Sequence, residues 1–452
     1  MPCLRFPVVE TGSAESQGNG VRATRVWAQV LGVEQVVVEG VELDEVRGVL
    51  VAHVRPTKSR RGRCGRCGRR ARGYDQGEGR RRWRTLDLGS TQTWLEADAP
   101  RVKCRTHGVV VAAVPWARHG AGHTYAFDDT VAWLAVQTSK TAVTALMRIA
   151  WRTVGAIITR VLADIDAATD RLNGLRRIGI DEISYKRGHR YLTVVVDHDT
   201  RKVVWAAEGR DKATVRKFFD ALGPARCANI ELVSADAAQW IADVVAERCP
   251  NAVRCADPFH VVAWATEALD QVRRQAWNDA RALARQEPAR KRGRPPAGAP
   301  RRPGHDKARA LKHARYALWK NPEDLTDRQR DKLAWIAKTD TRLYRAYLLK
   351  EGLRHVFKVK GDEGKQALDR WLSWARRCRI PAFVALAVTI GNHRASINAS
   401  LEHNLSNALI ESTNTKIRLL TRIAFGFRST DALIAMIMLS LGSHQPALPG
   451  RT

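Results

Sequence analysis

Apolar positions follow a strand-like pattern in one stretch of the chain and a helical one in most of the rest. Ile178-Gly179-Ile180, Tyr191-Leu192-Thr193-Val194-Val195-Val196 and Lys202-Val203-Val204-Trp205-Ala206-Ala207 are short, β-branched and separated by turn residues. They predict two hairpin strands and a third that follows. The first run ends on Asp181, and a carboxylate among apolar residues is costly to bury unless it is paired or holds a cation. Glu182 beside it points to the opposite face of the strand. Asp197 and Asp199 close a hairpin, which is ordinary work for Asp.

Downstream the strand and helix patterns alternate. Asp211 to Leu222 predicts a helix with a capping Asp, Ile230 to Asp236 a strand ending on an acid, Ala238 to Arg248 a helix, and Ala252 to Asp257 a fifth strand; Pro258-Phe259-His260 then opens a long helix. Three strands followed by helix, strand, helix, strand, helix is the element order of an RNase H-like core, in which the acids ending the first and fourth strands lie side by side. Those acids are Asp181 and Asp236. A third carboxylate comes late, where Leu405 to Ile417 has a helical period with Glu411 and Asn414 one turn apart and Lys416 and Arg418 following as phosphate clamps. Asp257 is a rival acid, and His260 reads as a residue that caps or packs its helix.

Before the strands, Phe127–Leu162 has helical spacing in three short segments, the later two opening at Thr138-Ser139-Lys140-Thr141 and at Trp151-Arg152-Thr153-Val154. This predicts a helix-turn-helix whose last helix carries Arg152 and Thr153 toward a DNA groove, with Lys140 as a further DNA contact; a plain helical bundle would have the same pattern. Between Arg285 and His403 the chain is helical and basic, an insertion into the core. Within it, residues 288–307 are rich in Pro, Gly and Arg and cannot bury a core, so disorder is expected. Arg292-Gly293-Arg294-Pro295 has the form of a minor-groove hook, and both arginines would also bind phosphates. Trp319, Trp335, Trp371 and Trp374 read as core anchors of the insertion.

Charge narrows the partner. The 452 residues carry 76 Lys and Arg against 46 Asp and Glu, a formal charge of +30, and a field of that size holds a polyanion by counterion release. Double-stranded DNA is the expected partner. No apolar run reaches the ~18 residues of a spanning helix, and the first twenty residues lack the order of a signal peptide, so a cytoplasmic, nucleoid-associated protein with a disordered start is expected. Eight cysteines in so long a chain do not make a disulfide scaffold. Cys64-Gly65-Arg66-Cys67 and Cys104-Arg105-Thr106-His107 repeat one spacing and supply four ligands for structural zinc. Cys3, Cys227, Cys249, Cys255 and Cys378 lack it and read as small core residues. Between the pairs, Arg80, Arg81, Arg82 and Arg84 line an alternating segment whose basic face would touch phosphates.

The fold expected is therefore multidomain α+β: a zinc-binding domain over 21–120, a helix-turn-helix over 121–170, an RNase H-like core from 171 to 284, the helical insertion over 285–403, C-terminal helices of the core over 404–445 and a short tail. The chain resembles the insertion-sequence transposases of the ISL-three family. The resemblance is carried by the two ligand pairs, the helical unit, Ile180-Asp181-Glu182, Glu208-Gly209-Arg210-Asp211-Lys212, Ala256-Asp257-Pro258-Phe259-His260, Lys320-Asn321-Pro322-Glu323-Asp324-Leu325-Thr326, Ile410-Glu411-Ser412-Thr413-Asn414 and Gly426-Phe427-Arg428. It implies an acidic triad at Asp181, Asp236 and Glu411 holding two Mg²⁺ or Mn²⁺ ions for phosphoryl transfer. It also implies binding to terminal inverted repeats, end cleavage and strand transfer into target DNA by a homodimer or larger assembly. A DNA-binding regulator without chemistry, and a nuclease on the same core, are the alternatives.

Overall fold

The computed structural model describes residues 25–186, 188–235, 238–287, 302–424 and 426–450. The expected disorder of the first twenty residues, Asp236, Arg292 and Arg294 lie outside them. The chain divides into two compact units, one running through Thr169 and taking in 422–440, the other covering Asp170–Thr421.

The first unit opens with strands β1 (Val36–Asp44), β2 (Val49–Pro56), β3 (Arg72–Asp75), β4 (Arg80–Leu88), β5 (Thr91–Asp98), β6 (Arg101–Cys104) and β7 (Gly108–Val111). Four form a sheet in the order β1-β2-β5-β4, and β3-β6-β7 form a second, smaller one. Alternation along these strands turns Val38, Ala52, Val54, Trp83, Leu95 and Ala97 into one core, closed by Trp116, whose ring meets that of Trp83 edge-on at 5.4 Å.

Helices α1 (Tyr125–Gln137), α2 (Lys140–Met147) and α3 (Trp151–Ala168) follow. Thr124 accepts the Phe127 N–H and Ser139 the Ala142 N–H, so the first two helices begin on side-chain caps. Between α2 and α3 the chain turns through Arg148 in the left-handed region at φ 52°, and the two helices bend by 100°. That is the angle of a helix-turn-helix pair. Phe127, Val131, Val143, Val154, Ile157 and Ile158 form its core, and Ala432, Ala435, Met436 and Leu439 of the C-terminal helix Thr430–Leu441 complete it. Sequence reading placed that helix with the core domain. The reason for the difference is the short three-helix stripe, which leaves an apolar face that only a fourth helix can cover.

In the second unit, β8 (Arg177–Lys186), β9 (Arg190–Asp197), β10 (Lys202–Glu208), β11 (Leu232–Ala235) and β12 (Val253–Ala256) form one sheet in the order β10-β9-β8-β11-β12. The first three pair antiparallel, while β11 lies parallel between β8 and β12. One face buries Ile178, Ile180, Val233 and Ala235 against Phe218 and Phe219 of α4 (Lys212–Leu222) and Ile241, Val244 and Val245 of α5 (Gln239–Arg248). Asp211 caps α4 through the Thr214 N–H, as its position before the apolar stripe predicts. On the other face Leu232 and Cys255 meet Ala399 and Leu405.

From the end of β12 the helix α6 (Pro258–Gln286) runs for 29 residues into a bundle. Its Val261, Ala265, Leu269 and Val272 join Leu343, Leu353, Leu368, Trp371 and Phe383 in one cluster. The bundle thus begins at the sheet edge, earlier than the 285 boundary read from composition. A helix at Pro303–Lys312 likewise begins inside the stretch 288–307 expected to be disordered, where Glu287 receives the backbone N–H groups of Gly304 and His305. Trp371 is a core anchor and donates to the Leu349 carbonyl at 2.7 Å, and Trp319 and Trp335 pack on the same cluster. Trp374 is more exposed, at 37%.

Leu439 is fully buried in the helix-turn-helix core. We expect Leu439→Ala to destabilise the first unit by about 2–5 kcal/mol. Two-probe denaturation, with one tryptophan reporter in each unit, should show the first unit's transition shifted and the second's unmoved.

Candidate functional site

Strand register sets the acids in order. Ile180 of β8 partners Ala235 of β11, and Ala235 partners Ala256 of β12, so three residues stand in one row across three parallel strands; β11 and β12 end there, whereas β8 does not end on Asp181 as its apolar run suggests but continues to Lys186, paired with β9. Each is followed in the sequence by an aspartate, Asp181, Asp236 and Asp257. Asp181 lies on the face opposite Ile178 and Ile180. Its Oδ1 accepts the Glu182 N–H at 2.8 Å, and its Oδ2 accepts from Asn414 Nδ2, also at 2.8 Å. Two residues earlier on that face is Gly179, where a Cβ would come within 3.0 Å of His198 Nε2 and 3.1 Å of Ser234 Oγ. The bare glycine lets His198 reach across β8 to hydrogen-bond Ser234 at 2.8 Å, tying β9 to β11 beneath the acids.

Helix α7 (Arg394–His403) leads to α8 (Ala408–Ile423), which carries Glu411 and Asn414. Sequence reading began this helix at Leu405; it begins after Asn407, because Asn407 is used elsewhere. Asp257 is buried, and its Oδ1 accepts the backbone N–H of Asn407 at 3.2 Å. Its Oδ2 accepts the His260 N–H at 3.2 Å and the His260 ring Nδ1–H at 2.8 Å. The Asn407 carbonyl in turn accepts the Glu411 N–H at 2.9 Å. The start of α8 is therefore fastened to the end of β12, and its next turn is fastened to Asp181. Asn414 is buried, whereas Glu411 is exposed on the first turn. Residues three apart on a helix have Cβ atoms about 5–6 Å from each other, so Glu411 and Asn414 are neighbours on α8. Asn407 carried no signal beyond its place just before the acid helix. Glu182, on the other face, stands 3.7 Å from Arg210, which lies over the Tyr191 ring.

The first unit holds a second cluster. Ligand atoms of Cys64, Cys67, Cys104 and His107 lie within 4.8 Å of one another. His107 Nδ1 is 3.7 Å from the sulfurs of Cys64 and Cys104, and the sulfurs of Cys67 and Cys104 are 3.8 Å apart. Zinc–sulfur bonds of about 2.3 Å at tetrahedral angles put ligand sulfurs about 3.8 Å apart, so the cage has the size of this ion. Backbone N–H groups of His107 and Thr106, with the His107 side chain, bring the Cys104 thiol down to about 6, which favours the thiolate a metal needs. Gly65 makes the first turn feasible, because a Cβ there would fall 2.3 Å from His119 Nδ1 and 2.5 Å from the Val111 carbonyl. The cysteines outside the spacing, Cys227, Cys249, Cys255 and Cys378, are buried, and burial pushes Cys249 up to about 12 and Cys255 up to about 11.

The basic residues expected on DNA divide sharply. Arg152, Lys416 and Arg418 are exposed. On β4, Arg80 and Arg82 pair with Glu96 at 3.0 and 2.6 Å, and Arg81 donates to the Ala121 carbonyl at 2.9 Å. Arg84 is buried and paired with Asp87. Lys140 is buried too, its ammonium 4.9 Å from the centre of the Trp151 ring and 5.6 Å from that of Phe427. Burial holds its pKa below the ordinary lysine range. Arg84 and Lys140 are thus corrected from DNA contacts to packing residues, Arg84 lying over the Trp94 and Phe127 rings and Lys140 over those of Trp151 and Phe427. Gly426-Phe427-Arg428 gains its meaning here, since Phe427 is one wall of the lysine's pocket.

Comparison with known proteins agrees with this division. A family model described as a transposase matches residues 178–437, one described as the helix-turn-helix domain of transposase family ISL3 matches 112–162, and one described as a zinc-finger of transposases of the IS204, IS1001, IS1096 and IS1165 elements matches 60–107. The chain belongs to the ISL3 family of insertion-sequence transposases. It is 68% identical over 436 residues to the transposase for insertion sequence element IS1557 of Mycobacterium tuberculosis strain CDC 1551, covering 95% of this chain and 98% of that one. The IS1557 transposase of strain H37Rv matches equally, and the IS1001 transposase of Bordetella parapertussis is 28% identical over 56% of this chain and 58% of its own. Among the described residues no single helix is long and apolar enough to cross a membrane.

Because an added methyl at position 65 has no room, Gly65→Ala should open the knuckle. We expect the purified variant to bind less than one zinc per chain by metal analysis, against one for the unaltered protein.

Proposed function

We propose that this protein binds the terminal inverted repeats of its insertion sequence, cleaves the element ends and transfers the freed 3′-hydroxyl strands into target DNA on an RNase H-like core. The single observation that carries the reading is the bond from Asn414 to Asp181, which puts the Glu411 helix against β8 where the first aspartate stands. The order β10-β9-β8-β11-β12, with an antiparallel half and a parallel half, supports the core assignment.

Asp181, Asp236 and Glu411 would hold two divalent cations. Their donors are hard carboxylate oxygens, which fit Mg²⁺ or Mn²⁺ better than a soft metal. Such ions, when bound, make the entering oxygen a better nucleophile and stabilise charge on the leaving one. The residues themselves orient and position. Glu182 N–H and Asn414 Nδ2–H each occupy an acceptor site on a different oxygen of Asp181, which fixes the plane of the carboxylate. Asp257, already engaged by His260 and by the Asn407 N–H, is a positioning residue for the glutamate's helix in this reading rather than a third sheet ligand. Water attacks the phosphorus at the element end, the bond to the 3′-oxygen breaks, and that oxygen leaves as a hydroxyl. In strand transfer the same hydroxyl attacks a target phosphodiester, and the target's own 3′-oxygen departs. Joining two ends in one event calls for more than one chain.

Structural zinc at Cys64, Cys67, Cys104 and His107 would brace the front of the molecule, with Arg152 on α3 and Lys416 and Arg418 on α8 as phosphate contacts.

Asp181→Asn and Glu411→Gln should each lower end cleavage by at least ~10³-fold while repeat binding stays within about twofold. Cleavage and gel-shift assays on a terminal-repeat oligonucleotide check both, and retained cutting in either variant removes that residue from the triad. Asp257→Asn keeps an acceptor for the Asn407 N–H. It should therefore retain cutting within about tenfold and leave Mn²⁺ affinity unchanged by paramagnetic titration, whereas a metal ligand would lose both.

A further inference from the structure

Most of the cations read from the sequence as DNA contacts are spent on partners inside the first unit, and the cations that are not spent lie elsewhere. From Lys58 to Arg72 the chain has eight Lys and Arg residues and no Asp or Glu. This segment is the loop that wraps the first ligand pair. Arg63 and Arg70 face each other as an antiparallel bridge, the Cys64 N–H donates to the Arg69 carbonyl at 2.8 Å, and the Gly68 N–H donates to the Cys64 carbonyl at 2.8 Å. A short hairpin results, with Arg66 at its tip between the two cysteines. Arg63 is consumed by the hairpin itself, its guanidinium donating to the Ser59 and Gly68 carbonyls. Arg66, Arg69 and Arg70 are exposed, and among the described residues no carboxylate pairs with any of them.

The contrast with β4 is a matter of charge balance. Glu96 answers Arg80 and Arg82, and Asp87 answers both Arg84 and Arg148. A phosphate approaching that strand would have to displace carboxylates already in contact. At the knuckle nothing must be displaced, and three guanidiniums project from a turn whose shape the four ligands hold. Unpaired arginines on a rigid tip gain the full counterion-release term when they meet a polyanion.

We propose that the tip of the ligand-bearing hairpin, through Arg66, Arg69 and Arg70, is a surface by which the first unit holds the phosphate backbone of double-stranded DNA, in addition to Arg152, and that the β4 arginines do not contribute. This deepens the transposase reading, resting on its DNA binding but not on its chemistry. The contact is to phosphates and carries no base sequence.

The test uses the full chain and a fluorescein-labelled random-sequence duplex, with anisotropy titrations at several salt concentrations. Each phosphate contact removed should flatten the plot of log affinity against log salt by about 0.9. R66Q/R69Q/R70Q should therefore lose between about 2 and 3 units of slope, R66K/R69K/R70K should keep the slope of the unaltered protein, and R80Q/R82Q should leave it unchanged. Zinc content equal to that of the unaltered chain shows that the hairpin has survived. An unchanged slope in the glutamine triple variant, or an equal loss in R80Q/R82Q, overturns the proposal. Failure of the unaltered protein to bind the duplex would instead sink the DNA-binding reading beneath it.

Discussion

The second unit depends on how one helix is pinned to the end of a sheet. Helix α8 meets the sheet at two points, the Asn407 N–H on Asp257 after the end of β12 and the Asn414 amide on Asp181 within β8. Either hydrogen bond alone would leave the helix free to pivot. Two anchors about two turns apart along one helix remove that freedom; the first is buried and the second half-buried, and a buried polar group left unsatisfied by a broken bond costs about 1–3 kcal/mol. The anchors sit on opposite sides of Glu411, so the glutamate's backbone is fixed even though its side chain is exposed. A long insertion between β12 and α8 is tolerated for the same reason. The bundle leaves on α6 and returns on α7, while the geometry at the site is set by contacts on either side of it.

The first unit is held together differently, by charge placed where water is scarce. Arg118 reaches Asp128, Asp129 and Asp164 at 3.4, 2.7 and 2.5 Å, and Asp128, fully buried, also receives Arg160 at 3.0 Å. Such a network is weak evidence of net stability, but it admits one arrangement of α1 and α3, because any other would strand a buried charge. Lys140 follows the same logic with aromatic faces in place of carboxylates. The result is a helix-turn-helix in which these buried charges lie beside an apolar face that the C-terminal helix covers.

Much of this was legible in the chain. Strand runs, the capping Asp211, the proline-opened helix at Pro258 and the two ligand pairs all follow local rules, since period, cap and spacing are properties of neighbouring residues. The exchange of roles among charged residues was not legible. Arg84 and Arg66 look alike in sequence, and only the fold reveals that one faces Asp87 and Phe127 while the other faces solvent. Asp257 likewise resembled Asp181, each ending a strand; what separates them is a backbone N–H arriving from Asn407, 150 positions away. Long-range partners of this kind leave no periodic trace.

The C-terminal helix has one more consequence, for how the protein comes off the ribosome. Its Met436 and Leu439 fill a core whose other residues were synthesised some three hundred positions earlier. The helix-turn-helix core therefore stays unfinished until residues 430–441 have been made. Chains that stop before Thr430 lack that last wedge and leave the apolar face of the three helices uncovered.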